Sequence, residues 1–353
     1  MNTVAIRTDA SALIGIGHVM RCLTLMQKLR STTSVHVVFI CNSDLPEALN
    51  KKIQGLGFEL KLVSSRIDGV VDDRLDAMQT AELLVGLSVD WLVVDHYGLD
   101  ARWERSLKAY VRKIFVIDDL ANRLHECNAI LDQNLYSNMD TRYNPLLNEG
   151  CRLFLGPSFL LLRDEFYSYY KNHKHSGTVQ QILVNFGGSD PTGEIGKLLE
   201  GIKIAGGEIN KLHFHIVAGP ANEKRELIRQ STIDTTNVTY YEQVNMAEIL
   251  SQVDLAVGAG GITMWERCFM GVPSAVITVA DNQIEPTKEA ERLGLIWNLG
   301  ESSSTDRYTV IDFLHSISSN FEEVCTKSDN ALLYMRQLRD NINHPIVEFM
   351  KEE

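Results

Sequence analysis

Val4-Ala5-Ile6-Arg7-Thr8-Asp9, followed by Gly15-Ile16-Gly17-His18-Val19-Met20-Arg21, decides the reading of this chain. The short apolar run predicts a strand, and the glycine-bearing loop after it delivers His18 to the start of a helix. Two later stretches repeat the device. Asn185-Phe186-Gly187-Gly188-Ser189-Asp190 follows another apolar strand, and Gly258-Ala259-Gly260-Gly261-Ile262-Thr263 opens a helix that carries Glu266. One histidine loop and two phosphate-type loops predict one active site, built from two domains and handling a nucleotide-linked substrate.

Working outward, apolar strand runs fall at 4–6, 35–41, 60–63, 91–95, 114–117 and 129–131. Helical patterns at 19–29, 46–54, 75–87 and 101–111 lie between them. Short Val/Ile runs that do not alternate with polar residues, separated by amphipathic helices, predict a parallel sheet covered on both faces, a doubly wound α/β domain. The rhythm breaks from Tyr136 to Lys174, and His173-Lys174-His175-Ser176-Gly177 predicts an exposed linker. It restarts with strands at 181–185, 212–217, 238–241, 255–257 and 274–279 and helices at 193–205, 222–230, 246–252, 263–270 and 284–293, ahead of a helical tail from 308 to 350. The expected domains are therefore 1–172 and 178–353, two Rossmann-like halves facing across a cleft, where small-molecule sites prefer to lie.

Composition narrows the function. The chain has 353 residues and is 44% hydrophobic, enough for two buried cores. A net charge of -12 argues against a nucleic-acid partner, which needs a basic surface. A small anionic ligand remains compatible, because helix termini and backbone N–H groups bind anions locally. The six cysteines form no C-x-x-C pair, so neither a zinc ribbon nor a redox motif is indicated. No apolar run approaches the about 20 residues of a membrane span. With no leader pattern at the N-terminus, the expectation is a cytoplasmic protein without a membrane partner.

Each candidate residue carries a plainer alternative. His18 sits at the carboxyl end of the first strand, the ligand side of such a sheet, and an imidazole takes protons near neutral pH. Asp9 is near enough in sequence to orient it or to hold substrate, and Arg7 and Arg21 can pair with Asp9 or with phosphate. The alternative is a helix-start residue without a role. The spacing is no dinucleotide fingerprint, since Met20 stands where the third glycine of G-x-G-x-x-G belongs. Gly187, Gly188 and Ser189 read as an anion cradle with Pro191 starting the next helix, or as an ordinary strand–helix turn. Gly258, Gly260 and Gly261 bring a helix N-terminus close to a ligand, with Thr263 as cap or phosphate donor. Glu266, about one turn in, can accept both hydroxyls of a ribose, or it merely favours the first turn through the helix dipole. Asp281-Asn282-Gln283 lies at another strand–helix junction, and Asp95-His96-Tyr97 at the carboxyl end of the fourth strand. His213 and His215 share a strand face without a ligand pattern and read as structural. Asp72-Asp73 and Asp118-Asp119 are adjacent pairs whose side chains diverge, and the chain has no Asp-x-Asp triplet.

Taken together, Arg7-x-Asp9, Gly15-x-Gly17-His18-x-x-Arg21, Asp95-His96-Tyr97, Asp132-Gln133-Asn134-Leu135, Leu155-Gly156-Pro157, Leu161-Leu162-Arg163-x-Glu165-Phe166 and Asn185-Phe186-Gly187-Gly188-Ser189-Asp190 resemble the UDP-sugar hydrolases of pseudaminic acid biosynthesis. The resemblance runs from Arg7 to about Gln283. The C-terminal half also resembles the glycosyltransferase that makes lipid II, through Gly260-Gly261-x-Thr263-x-x-Glu266. The resemblance implies a GT-B fold and hydrolysis of UDP-2,4-diacetamido-2,4,6-trideoxy-β-L-altropyranose to UDP and the free hexose. It further implies inversion at the anomeric carbon and no metal or other cofactor. The family's base falls on His18. Substrate contacts are expected from Arg7, Asp9, Gly15, Gly17, Arg21, Asp95, Tyr97, Arg163 and Asn185, with the acetamido groups met by N-domain loops. UDP is expected on Gly187, Gly188, Ser189, Gly260, Gly261, Thr263, Glu266, Asn282 and Gln283. A monomer is the expected state. Two other readings use the same residues: a glycosyltransferase with a UDP-sugar donor and another acceptor, and a non-catalytic UDP-sugar binding protein.

Overall fold

The computed structural model describes residues 2–11, 15–67, 69–170, 178–219, 221–233, 235–318, 320–341 and 343–352. The chain divides into two compact units, Met1–Leu161 with Asn341–Glu353, and Leu162–Asp340.

The first unit runs β1 (Asn2–Thr8), α1 (Gly17–Thr32), β2 (Val35–Asn42), α2 (Glu47–Gly55), β3 (Glu59–Val63), a hairpin of β4 (Arg66–Ile67) and β5 (Val70–Val71), α3 (Asp73–Leu84), β6 (Val89–Asp95), α4 (Ala101–Leu107), β7 (Val111–Ile117), β8 (Ala129–Asp132) and β9 (Arg152–Leu155). Seven strands form one sheet in the order β3-β2-β1-β6-β7-β8-β9. All its pairs are parallel, with Ile6 opposite Phe39 on one side and Val93 on the other. Successive residues serve opposite faces. Val4, Ile6, Phe39 and Val93 pack with Val19, Leu23 and Met26 of α1. Ala5, Val38, Ile40, Leu92 and Val94 pack with Trp103 and Leu107 of α4. This double burial is why the strands read as unbroken apolar runs. The first strand lies in the middle of the sheet, so its carboxyl end and the start of α1 sit beside the end of β6.

The second unit runs α5 (Asp164–Tyr169), β10 (Gln181–Asn185), α6 (Glu194–Ile204), β11 (His213–Val217), α7 (Arg225–Thr232), β12 (Val238–Tyr241), α8 (Met246–Leu250), β13 (Leu255–Ala259), α9 (Ile262–Met270), β14 (Ser274–Thr278), α10 (Ile284–Arg292), β15 (Trp297–Glu301), α11 (Thr309–Ile317), α12 (Phe321–Tyr334) and α13 (Arg336–Asp340). Its six-stranded parallel sheet has the order β12-β11-β10-β13-β14-β15. Asn185 at the end of β10 pairs with Gly258 in β13, which brings the two glycine loops to neighbouring strand ends. A Cβ on Gly258 would lie 2.2 Å from the Asn185 carbonyl oxygen and 2.8 Å from Arg267 Nη1. Gly258→Ala is therefore expected to push the strands apart and cost about 1–3 kcal/mol, read as a lowered urea midpoint.

Three expectations need correction. The last helix, α14 (Pro345–Glu352), belongs to the first unit, not the second. Ile346, Val347 and Met350 join the core against α1, and Trp91 Nε1 donates to the Met350 carbonyl at 3.1 Å. A tail reads as helical from its own pattern, but which core it joins depends on a partner 259 residues away in sequence. The division also falls at Leu161, earlier than residue 172, because α5 packs on α9, with Tyr167 and Tyr170 edge-on to Phe269. The helix after the second glycine loop starts at Glu194 rather than Pro191. Asp190, at φ 44°, turns its carboxylate back to accept from Glu194 N (2.9 Å) and Ile195 N (3.1 Å), so the cap sets the start. The expected linker, with His173 and His175, lies outside the described residues.

Candidate active-site groups in each unit

In the first unit the acids lie at strand ends: Asp9 after β1, Asp95 closing β6, Asp118 and Asp119 after β7, Asp132 closing β8. His18 enters this edge from the first turn of α1. Its Nδ1 lies 2.5 Å from Asp95 Oδ1. Arg21, one turn on, takes both oxygens of the same carboxylate, with Nε 2.6 Å from Oδ2 and Nη2 2.6 Å from Oδ1. Arg21 can only donate, and its Nη2 is also 3.1 Å from His18 Nδ1. The shorter contact to a carboxylate puts a proton on Nδ1, which donates to Asp95, so in the neutral ring the lone pair is on Nε2. Nε2 makes no hydrogen bond among the described residues. Burial pushes Asp95 up, but Arg21 first and His18 second hold it well below the usual carboxylate range. Tyr97 stands edge-on to the imidazole with ring centroids 4.6 Å apart. Its hydroxyl donates to Asp119 Oδ1 at 2.7 Å, and Asp119 Oδ2 accepts from Arg21 Nη1 at 3.2 Å. The histidine is thus held by Asp95 through its nitrogen and by Tyr97 against its ring.

The structure separates residues that the sequence grouped. Asp9 does not orient His18. It pairs with Arg7 and, at 3.1 Å, with Arg66 Nη2, and accepts from Asn42 N at 2.8 Å. Arg7 also donates to Asp76 at 2.6 Å, whose carboxylate further accepts from Ser65 and from Trp103 Nε1. Arg7, Asp9 and Asp95 are 0%, 1% and 0% exposed. They brace the strand ends and cannot touch a substrate in this conformation. Gly15, Gly17 and Tyr97 are exposed, and Arg21 retains a partly open guanidinium. Asp119 and Asp76 were missed as site-building residues. Asp119 carried a signal, an acid just past the carboxyl end of an inner strand, whereas Asp76 lies in a helix whose reach to β1 no local pattern reveals.

In the second unit Asn185 is also braced: its Nδ2 donates to Val217 O at 3.1 Å and its Oδ1 accepts from Gly187 N at 3.3 Å. It shapes the loop rather than facing a ligand. Gly188 and Ser189 are exposed. At the other loop, Gln283 Oε1 accepts from Gly260 N at 3.2 Å and from Val279 N at 3.1 Å, so it too is a loop clamp, while Asn282 is exposed. Arg163 belongs to this unit, not to the N-terminal loops. It lies 3.0 Å from Glu165 and 3.8 Å from Glu266. Glu266, in the second turn of α9, makes no hydrogen bond among the described residues, and burial pushes its carboxyl up to about 7 against the pull of Arg163 and Arg267. The fold therefore favours its protonated form. Between the unfolded value of about 4.3 and the folded value of about 7, unfolding releases a proton and stability falls as pH rises. Glu266→Gln is expected to match wild type in acid and to exceed it by up to about 3 kcal/mol above neutrality, measured by urea unfolding across pH.

The described residues hold no cluster of metal-ligating side chains and no helix long and apolar enough to cross a membrane. His213 and His215 bond within the sheet, to Thr239, Tyr241 and Gln181.

Residues 182–342 match the model of the glycosyltransferase family 28 C-terminal domain. The chain is 28% identical over 294 residues to an uncharacterized protein of Methanocaldococcus jannaschii, covering 80% of this chain and 56% of that protein. It is 24% identical over 329 residues to a spore coat polysaccharide biosynthesis protein of Bacillus subtilis, covering 90% and 89%. It is 27% identical over 188 residues to the UDP-2,4-diacetamido-2,4,6-trideoxy-beta-L-altropyranose hydrolase of Campylobacter jejuni, covering 53% and 61%. The chain thus spans little more than half the length of the first and third of these relatives. Among solved structures, Acinetobacter baumannii MurG superposes with a TM-score of 0.67 at 11% identity over 100% of both chains. The UDP-GlcNAc 2-epimerase of Neisseria meningitidis, bound to UDP-GlcNAc, does so at 0.61 and 12%, again over 100% of both. The fold is GT-B, and the stretch that matches the family 28 C-terminal domain model lies almost entirely in the second unit.

Proposed function

We propose that this protein hydrolyses UDP-2,4-diacetamido-2,4,6-trideoxy-β-L-altropyranose by water attack at the anomeric carbon with inversion, giving UDP and the free hexose. The observation that carries the reading is the His18–Asp95 contact, an imidazole with one nitrogen anchored on a buried carboxylate and the other without a hydrogen bond among the described residues. That arrangement is built to accept a proton. The Campylobacter relative's name, at low identity, supports the choice of substrate.

In this mechanism the oxygen of a water bonds to the anomeric carbon as the bond from that carbon to the diphosphate oxygen breaks on the opposite face. The water proton passes to His18 Nε2. Asp95 stabilises the imidazolium that forms and returns to a neutral-imidazole partner when the proton leaves to solvent. The diphosphate is a good leaving group, so no second carboxylic acid is needed, unlike the two-carboxylate glycosidases. UDP is assigned to the second unit, with its diphosphate at the start of α9 and its ribose on Glu266. Tyr97 and Arg21, at the His18 edge, are assigned to the sugar.

The family 28 match and the MurG-like fold favour one second reading, transfer of the sugar to an acceptor. Incubation with this UDP-sugar, EDTA and no acceptor separates them by phosphorus and proton NMR. The hydrolase reading expects UDP and free hexose in equal amounts. Turnover that appears only on adding a sugar or lipid acceptor supports the transferase, and tight binding with no turnover under either condition supports a binding protein.

A further inference from the structure

Beneath the Gly258–Gly261 loop lies a positive charge that forms no ion pair among the described residues, with the neighbouring Glu266 acting on it only at longer range. Arg267 is 3% exposed. Its Nη2 donates to Ala259 O at 2.8 Å, its Nε to Ser274 Oγ at 3.1 Å and its Nη1 to Thr263 Oγ1 at 3.4 Å. All three acceptors are neutral, and among the described residues no acid forms an ion pair with it. Burial pulls the guanidinium down to about 10, the direction expected of a cation short of counter-charge. Side chains on a helix lean toward its N-terminus, so Arg267 places its charge under the first turn of α9. The helix dipole there has the same sign, which is the unfavourable end for a cation. A second group points at the same place. Thr287 Oγ1 is buried without a hydrogen-bond partner and presses on Gly260 so closely that a Cβ there would lie 2.3 Å from it.

The other glycine loop is different. At α6 the Asp190 carboxylate already occupies the helix N-terminus through Glu194 N and Ile195 N. A ligand anion there would displace a built-in one, whereas at α9 it would meet two contributions of positive potential and, among the described residues, no acid hydrogen-bonded to Arg267.

We propose that Arg267 is the positioning residue for the nucleotide's diphosphate: it ties Ala259 and Thr263 in place and supplies the buried charge that makes the start of α9, rather than the start of α6, the diphosphate seat. This rests on the reading of the second unit as the UDP-binding one. A role confined to bracing the loop would affect uridine and UDP alike. A role toward the diphosphate separates them, because uridine lacks the anion.

The test is calorimetric titration of the whole chain with UDP, uridine and inorganic pyrophosphate. Wild type is expected to bind UDP more tightly than uridine. Arg267→Met is expected to weaken UDP and pyrophosphate by about 10–100-fold, the worth of a charge-assisted contact, and to leave uridine unchanged. Arg267→Lys keeps the charge and is expected to keep most of the UDP preference even if the methionine variant misfolds. Equal loss for UDP and uridine in Arg267→Met, no loss for either, or collapse of the UDP preference in a folded Arg267→Lys would overturn the proposal. A wild type that binds UDP no better than uridine would instead defeat the UDP reading on which it rests.

Discussion

His18→Ala is expected to lower kcat by about 10²–10⁴, the usual contribution of a positioned general base, while UDP affinity stays unchanged. The separation follows from the architecture: His18 belongs to the first unit, and the groups assigned to UDP belong to the second. His18 stands in the first turn of α1 with its imidazole on Asp95 and against Tyr97, so its loss leaves the apolar side chains of α1 in place. A variant that folds, binds UDP and fails to turn over is the expected phenotype. Steady-state kinetics with parallel UDP titration reads it. Full turnover by His18→Ala would remove the imidazole from the base role while leaving the nucleotide assignments untouched.

Asp95→Asn is expected to have two large effects. The first is chemical. Arg21 donates to both carboxylate oxygens, so the asparagine NH₂ faces an Arg21 donor in either orientation, and at the Oδ1 position it also faces His18 Nδ1. In that orientation Nδ1 must accept, the ring proton moves to Nε2, and the lone pair that takes the water proton is lost. Turnover is expected to fall by about 10²–10⁴, as for loss of the base itself. The second effect is on stability. Arg21 is left with a buried charge whose main partner is gone, a change that costs about 3–5 kcal/mol in comparable buried pairs. The carboxylate lies below its ordinary value in the folded chain, so its stabilisation is fully present above the unfolded value of about 3.9 and is lost as pH falls toward the folded one. Wild type and Asp95→Asn should therefore differ in urea midpoint at neutral pH and converge in strong acid. UDP binding by the second unit provides a control for global unfolding. A folded Asp95→Asn with wild-type turnover would mean that the carboxylate does not set the tautomer.

Much of this was legible in the sequence where the cause is local. The strands at 181–185 and 238–241 coincide with β10 and β12 because an apolar run bounded by polar turns has little choice of extent. His18 at the edge of a central strand followed from the loop and helix start alone. What was hidden is what depends on partners far along the chain. Asp9 looked like the partner of His18 because it is close in sequence, but Arg7 and Arg66 hold it, the latter 57 residues away. Asp95 looked like a substrate ligand because it ends a strand, but 77 residues upstream His18 claims it. Asn185 and Gln283 looked like ligand amides, yet both satisfy backbone groups of the loops they shape. Asn185 and Gln283 could each serve a ligand or the loop's own unpaired backbone, and Asp9 and Asp95 a ligand or a distant side chain, and sequence spacing cannot tell these apart. Arg267 was passed over for the opposite reason. It reads as one more charged helix residue, and only its burial under a loop without an acid gives it meaning.

The central claim is that water attacks the anomeric carbon. Turnover of the UDP-sugar in ¹⁸O-enriched water, with both products weighed by mass spectrometry, tests it most directly. The account predicts that the label enters the hexose at its anomeric hydroxyl and that UDP carries none. Label in the terminal phosphate of UDP would place the attack on phosphorus and contradict the role given to His18.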